Sequence, residues 1–334
     1  MTDLSKGTIL VTGGAGFIGS VLIGELNRRG LENILVTDFL GKDEKWKNLL
    51  SLRFADYLEA GDFIKRLNET PKLFANVSAI FHLGACSSTT ETDAAYLIRN
   101  NFEYTKTLAR FALEGGRRFV YASSAATYGS LADGVPESAP LHSLRPLNMY
   151  GYSKHLFDCY AERTGVLPRL TGLKYFNVFG PNENHKGDMR SVVHKAFHQI
   201  RQTGAVSLFK SYRPEYKDGE QLRDFLYVKD AVAATLYLAE HANGGGLFNV
   251  GSGEPNTWLT LIHPIFQALG RAPKIEFIEV PEHLREKYQY YTCANIGKLR
   301  AAGFTRGFTP LAEAVTDYVK NYLMTGTINP PPVP

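Results

Sequence analysis

Thr8-Ile-Leu-Val-Thr-Gly-Gly-Ala-Gly-Phe-Ile-Gly19 is the stretch from which the rest of the chain is read. Thr8 to Thr12 is an apolar, β-branched run of strand length. It passes at once into glycines 13, 16 and 19, and a helical pattern follows through Arg29. Strand, glycine turn and helix together form a phosphate cradle. Gly13, Gly16 and Gly19 permit a tight turn, close approach of backbone to a pyrophosphate and tight packing of helix on strand, while the helix N-terminus supplies amide donors. Phe17 and Ile18 lie in that first helical turn.

A second run, Ile34-Leu-Val-Thr-Asp38, ends in a carboxylate nineteen positions after Gly19, the distance at which an acid meets an adenine-side ribose. Asp38 alone favours NAD, because it accepts from a free 2′-hydroxyl and repels a 2′-phosphate. Lys42, Lys45 and Lys47 point to NADP by offering charge to that phosphate. With Asp43 and Glu44 among them, they also read as a solvated charge run. NADP is the favoured cofactor, with NAD open.

Farther along, Tyr150 is followed four residues later by Lys154, and Ser124 closes the apolar run that starts at Phe119. Residues four apart on a helix share a face, so the Lys154 ammonium is expected to favour the Tyr150 phenolate and draw its pKa down from about 10. Such a tyrosine takes the proton of a substrate hydroxyl as a hydride leaves the same carbon. Ser124 would hydrogen-bond the oxygen being oxidised. A helix-surface pair and an N-capping serine are the plainer reading of the same residues, and the glycine turn upstream tips the balance.

Ala79–His82, Phe119–Ala122 and Leu170–Tyr175 read as buried strands, separated by helical patterns near 96–114 and 150–163. This predicts an α/β chain built on a doubly wound parallel sheet of Rossmann type, with a smaller, interleaved C-terminal substrate-binding lobe. The expected boundaries are 1–176 plus about 225–255 for the dinucleotide domain and 177–224 plus 256–328 for the lobe, with the chain returning to the first unit at Phe225–Val228 and Phe248–Val250. The proline-rich tail, 329–334, is expected to be disordered.

The 334 residues carry a formal net charge of +4, with a pI near 8.8, and no long basic block. An anionic small molecule suits that balance, and neither nucleic acid nor a membrane is implied. Three scattered cysteines, Cys86, Cys159 and Cys293, suggest neither a disulfide framework nor a zinc site. With the first strand beginning by Thr8, no signal peptide is expected, and the reading is cytoplasmic. His194 and His198 share a helical face but lack a third ligand in the pattern, so no metal is expected. Cys86 reads as a small buried residue.

Taken together, Thr12–Gly19, Phe81-His-Leu-Gly-Ala85, Ser123-Ser-Ala-Ala-Thr-Tyr-Gly129, Tyr150 with Lys154, Arg223-Asp-Phe-Leu-Tyr-Val-Lys-Asp230 and Asn249-Val-Gly-Ser-Gly253 resemble the extended short-chain dehydrogenases/reductases that act on nucleotide sugars. The resemblance covers almost the whole chain. Gly84–Thr90, Tyr175–Pro181 followed by His185-Lys-Gly187, and Tyr288–Thr292 are similar to the branch whose substrate is an ADP-linked heptose. That resemblance implies an isomerase, an epimerase that oxidises the exocyclic C6″ with bound NADP and returns the hydride to the other face. The product would be a precursor of lipopolysaccharide or another glycan. It also implies a homo-oligomer, a homopentamer in the family.

By position, the resemblance assigns Tyr150 and Lys186 as the two proton-handling groups, with Ser124 and Lys154 assisting. For Lys186, a surface or phosphate-contacting lysine is the competing reading. Asp38, Phe39 and Lys45 would meet the adenosine ribose. Leu83, Gly84, Ala85, Cys86, Ser87, Asn100, Lys154, Val178 and Lys186 would line the cofactor. Ser124, Asn177, Asp188, Lys195, Phe209, Lys210, Ser211, Tyr212, Arg223 and Tyr288 would contact the nucleotide sugar. Arg223 has its own rationale, since a guanidinium matches a diphosphate, although a salt bridge with Asp224 competes for it. Asp188, His194 and Lys195 depart from the Ser, Phe and His of better-known members, and Ala60 stands where some carry a second lysine. These departures bear on sugar, nucleotide and cofactor form. A 4-epimerase or 4-reductase would use the same Ser124, Tyr150 and Lys154, and a cofactor-sensing binding protein is the non-enzymatic alternative. Ala125-Ala126 stands where dehydratases carry Asp-Glu, which argues against water elimination.

Overall fold

The computed structural model describes residues 2–129, 137–241, 245–285 and 288–328; the tail at 329–334 lies outside them. Among the described residues twelve strands are formed: β1 (Thr8–Thr12), β2 (Ile34–Asp38), β3 (Asp56–Glu59), β4 (Val77–His82), β5 (Arg118–Ser124), β6 (Thr171–Tyr175), β7 (Asn177–Phe179), β8 (Val206–Phe209), β9 (Leu222–Tyr227), β10 (Gly246–Val250), β11 (Pro255–Thr257) and β12 (Ile275–Ile278). Seven of them make one sheet in the order β10-β6-β5-β4-β1-β2-β3, every pair parallel. This is the doubly wound sheet that the alternating pattern predicts.

Both faces of that sheet are covered, which is why its strands read as continuous apolar runs rather than alternating ones. Side chains still leave each strand on opposite sides. Ile9 and Val11 enter one core with Leu22, Leu26 and Leu236, whereas Leu10 enters the other with Ile80, Phe119 and Phe157. Helices Phe17–Arg28 and Val228–His241 cover the first face, and Tyr104–Glu114 and Met149–Arg163 the second.

Beyond Tyr175 the chain builds a smaller unit: a three-stranded sheet β11-β9-β7, a two-stranded sheet β12-β8, and helices Val192–Thr203, Trp258–Ala268 and Leu311–Tyr318. Its core holds Phe179, Phe197, Ile200, Ile262, Ile265 and Val315. Phe225–Tyr227, within the stretch expected to return to the first unit, pairs with β7 as part of β9. The return to the first unit is made by helix Val228–His241 and by β10 beside β6. A short apolar run signals a strand but not which sheet it joins.

The strand order reverses direction at β1, between β4 and β2, and such a switch point opens a crevice at the carboxyl ends of the strands. Thr12, His82, Ser124 and Tyr175 are the residues that end there. Among the described residues, no helix is long and apolar enough to cross a membrane.

Candidate active site

A cavity of about 470 Å³ lies over that crevice. Its floor is the glycine turn. Gly13 has φ +68, and a Cβ there would sit 2.5 Å from the Gly84 nitrogen; a Cβ at Gly19 would sit 2.1 Å from the Gly13 oxygen. Any side chain at either position would push the helix or the facing loop away. Helix Phe17–Arg28 has no side-chain cap and no acid in its first turn, so its N-terminal amides face the cavity unneutralised. A bare helix N-terminus over a glycine cradle fits a dinucleotide pyrophosphate.

Asp38 ends β2 at the cavity wall, 7% exposed. Its carboxylate accepts from the Ala15 amide at 3.0 Å, the Phe39 amide at 2.8 Å and Lys45 Nζ at 3.1 Å. Burial pushes its pKa up, and Lys45 opposes the shift. Lys45 also donates to the Phe39 carbonyl at 2.6 Å. Lys45 therefore lines the cavity, while the Phe39 ring is half exposed outside it. Lys47 is occupied with Glu44.

Ser124, Tyr150 and Lys154 line the same cavity. Asn148 caps helix Met149–Arg163 by accepting from the Gly151 amide at 2.8 Å. Gly151 lets that helix approach the turn after β5, since a Cβ would lie 2.8 Å from the Ala126 oxygen. The Ser124 hydroxyl accepts from the Ala126 amide at 3.1 Å and acts on the Tyr150 phenol from beside it. The titration expected from spacing needs correction here. Burial raises the Tyr150 pKa, with the Ser124 hydroxyl lowering it in part. Lys154 Nζ donates to the Ala122 carbonyl at 2.8 Å, and burial lowers its pKa to about 8. Desolvation disfavours both charged forms, so the two groups rest as phenol and ammonium.

Asn101, absent from the sequence-derived candidates, organises this wall. It is fully buried in a π-helical turn, Ile98–Glu103, a geometry often found at functional sites. Its side chain accepts from the Cys86 amide and donates to the Cys86 carbonyl, both at 2.9 Å, and donates to Ser153 Oγ at 2.9 Å. Ser153 in turn donates to the Tyr150 carbonyl at 2.7 Å. The loop after β4 is thereby tied to the tyrosine. Asn100, the position singled out from sequence, bonds the Tyr96 carbonyl and lies off the cavity lining. The doublet Asn100-Asn101 left the choice to the helix phase, which the π turn alters. Leu83, Gly84, Ala85, Cys86 and Ser87 all line the cavity, Cys86 as a half-buried wall residue rather than a core one.

Lys186 enters from the smaller unit, with Nζ 5.0 Å from the Phe17 ring centre. Its pKa is lowered, chiefly by burial, with Glu183 opposing. Glu183 has no exposed surface and holds the lysine's loop in place. It accepts from the Ser191 amide and hydroxyl, each at 2.6 Å, and from the Tyr318 hydroxyl at 3.0 Å. Asn48 joins the same loop to the glycine turn, donating to the Ala15 carbonyl at 2.9 Å and the Asn182 carbonyl at 3.1 Å. Val178 lines the cavity beside it.

The remaining sugar-contacting candidates lie off this cavity's lining. Lys195 Nζ donates to the Asp188 carbonyl at 2.5 Å. Asn177 donates to the Asp224 carbonyl at 3.0 Å. Phe209 and Tyr288 meet edge to face, Lys210 pairs with Glu279, and the Tyr212 amide donates to Tyr290 at 3.0 Å. The Ser211 amide donates to Asp218 at 2.6 Å. Arg223 does not pair with Asp224, because successive strand residues point to opposite sides. It lies over Trp258 and Tyr288 and donates to the Leu222 carbonyl at 2.8 Å. Asp224 instead accepts from the Ser252, Gly253 and Ala294 amides. His194 and His198 rings lie 4.6 Å apart, and His194 bonds Asn184 at 2.9 Å.

Comparison with known proteins places this geometry in context. The model of the NAD dependent epimerase/dehydratase family matches residues 9–251. The chain is similar to ADP-L-glycero-D-manno-heptose-6-epimerase of Nitratidesulfovibrio vulgaris (strain Hildenborough), 50% identical over 315 residues, covering 94% of this chain and 97% of that protein. Among solved structures it resembles Helicobacter pylori ADP-L-glycero-D-manno-heptose-6-epimerase at TM-score 0.80 and 26% identity, over 96% of this chain and 98% of that one. It also resembles MoeE5 in complex with UDP-glucuronic acid and NAD, at TM-score 0.71 and 25% identity over 94% and 99% of the two chains.

Proposed function

This chain belongs to the NAD dependent epimerase/dehydratase family, and from that premise we infer that it is an isomerase that inverts C6″ of ADP-D-glycero-D-manno-heptose to the L-glycero epimer. Two findings support the reading: the similarity to heptose 6-epimerases over nearly the whole chain, and one cavity that gathers Ser124, Tyr150, Lys154 and Lys186 over the glycine turn. The second carries the mechanism. Inverting a carbinol centre through a ketone needs a proton taken from the hydroxyl and a proton returned after the carbonyl presents its other face.

A nicotinamide dinucleotide supplies the hydride acceptor and donor; Gly13, Gly16, Gly19 and the helix N-terminus would hold its pyrophosphate, and Asp38 and Lys45 its adenosine end. Ser124 and Tyr150 form one proton-handling pair, with the phenol resting protonated and its hydroxyl oriented by Ser124. Lys154 sits four residues on, and its ammonium lowers the cost of forming the phenolate. Lys186 is the second group: partly desolvated, and so readier to give up its proton than a solvated lysine. Glu183 and Asn48 hold its loop against the cavity. The dinucleotide is NADP, because Lys45 neutralises Asp38 and leaves the ribose end able to tolerate a 2′-phosphate. Arg223 and the aromatic residues Phe209, Tyr212 and Tyr288 serve the nucleotide-sugar end.

Incubation with ADP-D-glycero-D-manno-heptose should give the L-glycero epimer by NMR, and no conversion sinks the substrate assignment. Tyr150→Phe should reduce turnover by about 10²-fold or more with cofactor content retained. Lys186→Ala should do likewise; full activity there removes the second proton group and leaves Tyr150 serving both faces. Mass analysis of the nucleotide released on acid denaturation decides NADP against NAD.

A further inference from the structure

We propose that this protein carries a second binding site, for a phosphate-type oxyanion, at the end of the large sheet opposite the candidate active site. There the N-terminal ends of β4 and β5 and the loop before β6 enclose a cavity of about 300 Å³. Arg117, Arg118 and Arg169 line it together with Ser78, and among the described residues no carboxylate belongs to its lining. Ser78 is separated from His82, at the active-site end of β4, by about 13 Å of strand.

Each guanidinium is held by backbone carbonyls. Arg117 donates Nε to Val77 at 3.0 Å and Nη1 to Phe111 at 2.8 Å, and stacks on the Phe111 ring at 3.9 Å. Arg118 donates Nη2 to Leu238 at 2.6 Å, and Arg169 donates Nη2 to Leu113 at 3.3 Å. These bonds orient the three forks without using all their donors. Among the described residues none of the three forms an ion pair; the nearest acid acting on them is Glu114, which raises the Arg117 pKa in part. Arg118 Nε and Ser78 Oγ are buried with no hydrogen-bond partner.

Capping of helix ends accounts for only part of this. Phe111 and Leu113 lie in the last turn of helix Tyr104–Glu114, and Leu238 in the last turn of Val228–His241. A helix terminus contributes about half a negative charge, so two of them leave most of three full positive charges uncompensated. Burial lowers the Arg117 and Arg118 pKa values, as expected for cations short of a counter-charge. A cavity this size equals the liquid volume of about ten waters, which admits phosphate or pyrophosphate. Guanidinium forks match such oxyanions bidentately.

The test is calorimetric titration of inorganic phosphate, and in parallel pyrophosphate, into the protein carrying its dinucleotide, with chloride matching ionic strength. Saturable binding is expected, weakened at least tenfold by Arg118→Gln and by Arg169→Glu, with Arg169→Glu turning over nucleotide sugar at the unchanged rate. Arg169 is exposed, so its variant decides the matter even if Arg118→Gln fails to fold. Absence of saturable binding to the unmodified protein, or equal affinity in Arg169→Glu, overturns the proposal.

Discussion

Lys154 is 5% exposed, and its ammonium is held by the Ala122 carbonyl rather than by an acid. Its nearest charged helper, Asp158, one turn along the helix, only partly offsets the burial that lowers its pKa to about 8. Two opposite trends follow as pH rises. The unfolded chain keeps this lysine protonated up to about 10.4; between there and about 8 it binds more protons than the folded one, so folding stability from this group rises with pH. Under the proposed mechanism activity moves the other way, because loss of the ammonium would remove the charge proposed to assist the Tyr150 phenolate. Turnover should therefore decline above about pH 8 while this group pushes the unfolding midpoint up. A rate that stays flat to pH 9.5 would show that Lys154 acts in its neutral form or not at all.

At the scale of elements, helix Met149–Arg163 and the turn Ala125–Tyr128 behave as a clamp whose spacing sets how near Tyr150 lies to Ser124. Asn148 fixes where the helix starts, and Gly151 fixes how closely it docks. Gly151→Ala, usually favourable within a helix, should here cost about 1–3 kcal/mol from overpacking against the Ala126 carbonyl. Turnover should fall tenfold or more while KM changes little, since the displaced group is the tyrosine and not the cofactor cradle. Denaturant melts alongside steady-state kinetics check both. A stabilised variant with normal kcat would mean that the helix has slack the structure does not display.

Across the whole molecule, buried polar groups join the parts that must stay in register. Lys174 and Asp158 form an ion pair with neither side chain exposed, completed by Tyr121, Ser123 and Thr127. It locks the helix carrying Tyr150 to β5 and β6. Breaking it from one side leaves an uncompensated buried charge, so Lys174→Met should cost about 3–5 kcal/mol in denaturant unfolding; a loss below about 1 kcal/mol would mean that Asp158 finds another partner or a proton. Glu183 plays the corresponding part for the smaller unit, joining the Lys186 loop to helices Val192–Thr203 and Leu311–Tyr318. Both networks join residues distant in sequence, and neither carries a local pattern.

The parallel sheet and the glycine turn were legible in the chain because period, strand length and glycine placement are local properties that backbone sterics enforce wherever the segment lies. That Tyr150 and Lys154 share a helix and that Ser124 ends a strand was legible for the same reason, from a spacing and an apolar run. Packing alone decided that Lys186 reaches Phe17, that Asn101 rather than Asn100 faces inward, that Arg223 stacks on aromatic rings instead of pairing with Asp224, and that β9 joins the smaller sheet. The protonation states of Tyr150 and Lys154 belong with these. They depend on how much water the assembled fold excludes, and desolvation is a property of the whole packed interior that no run of residues carries by itself.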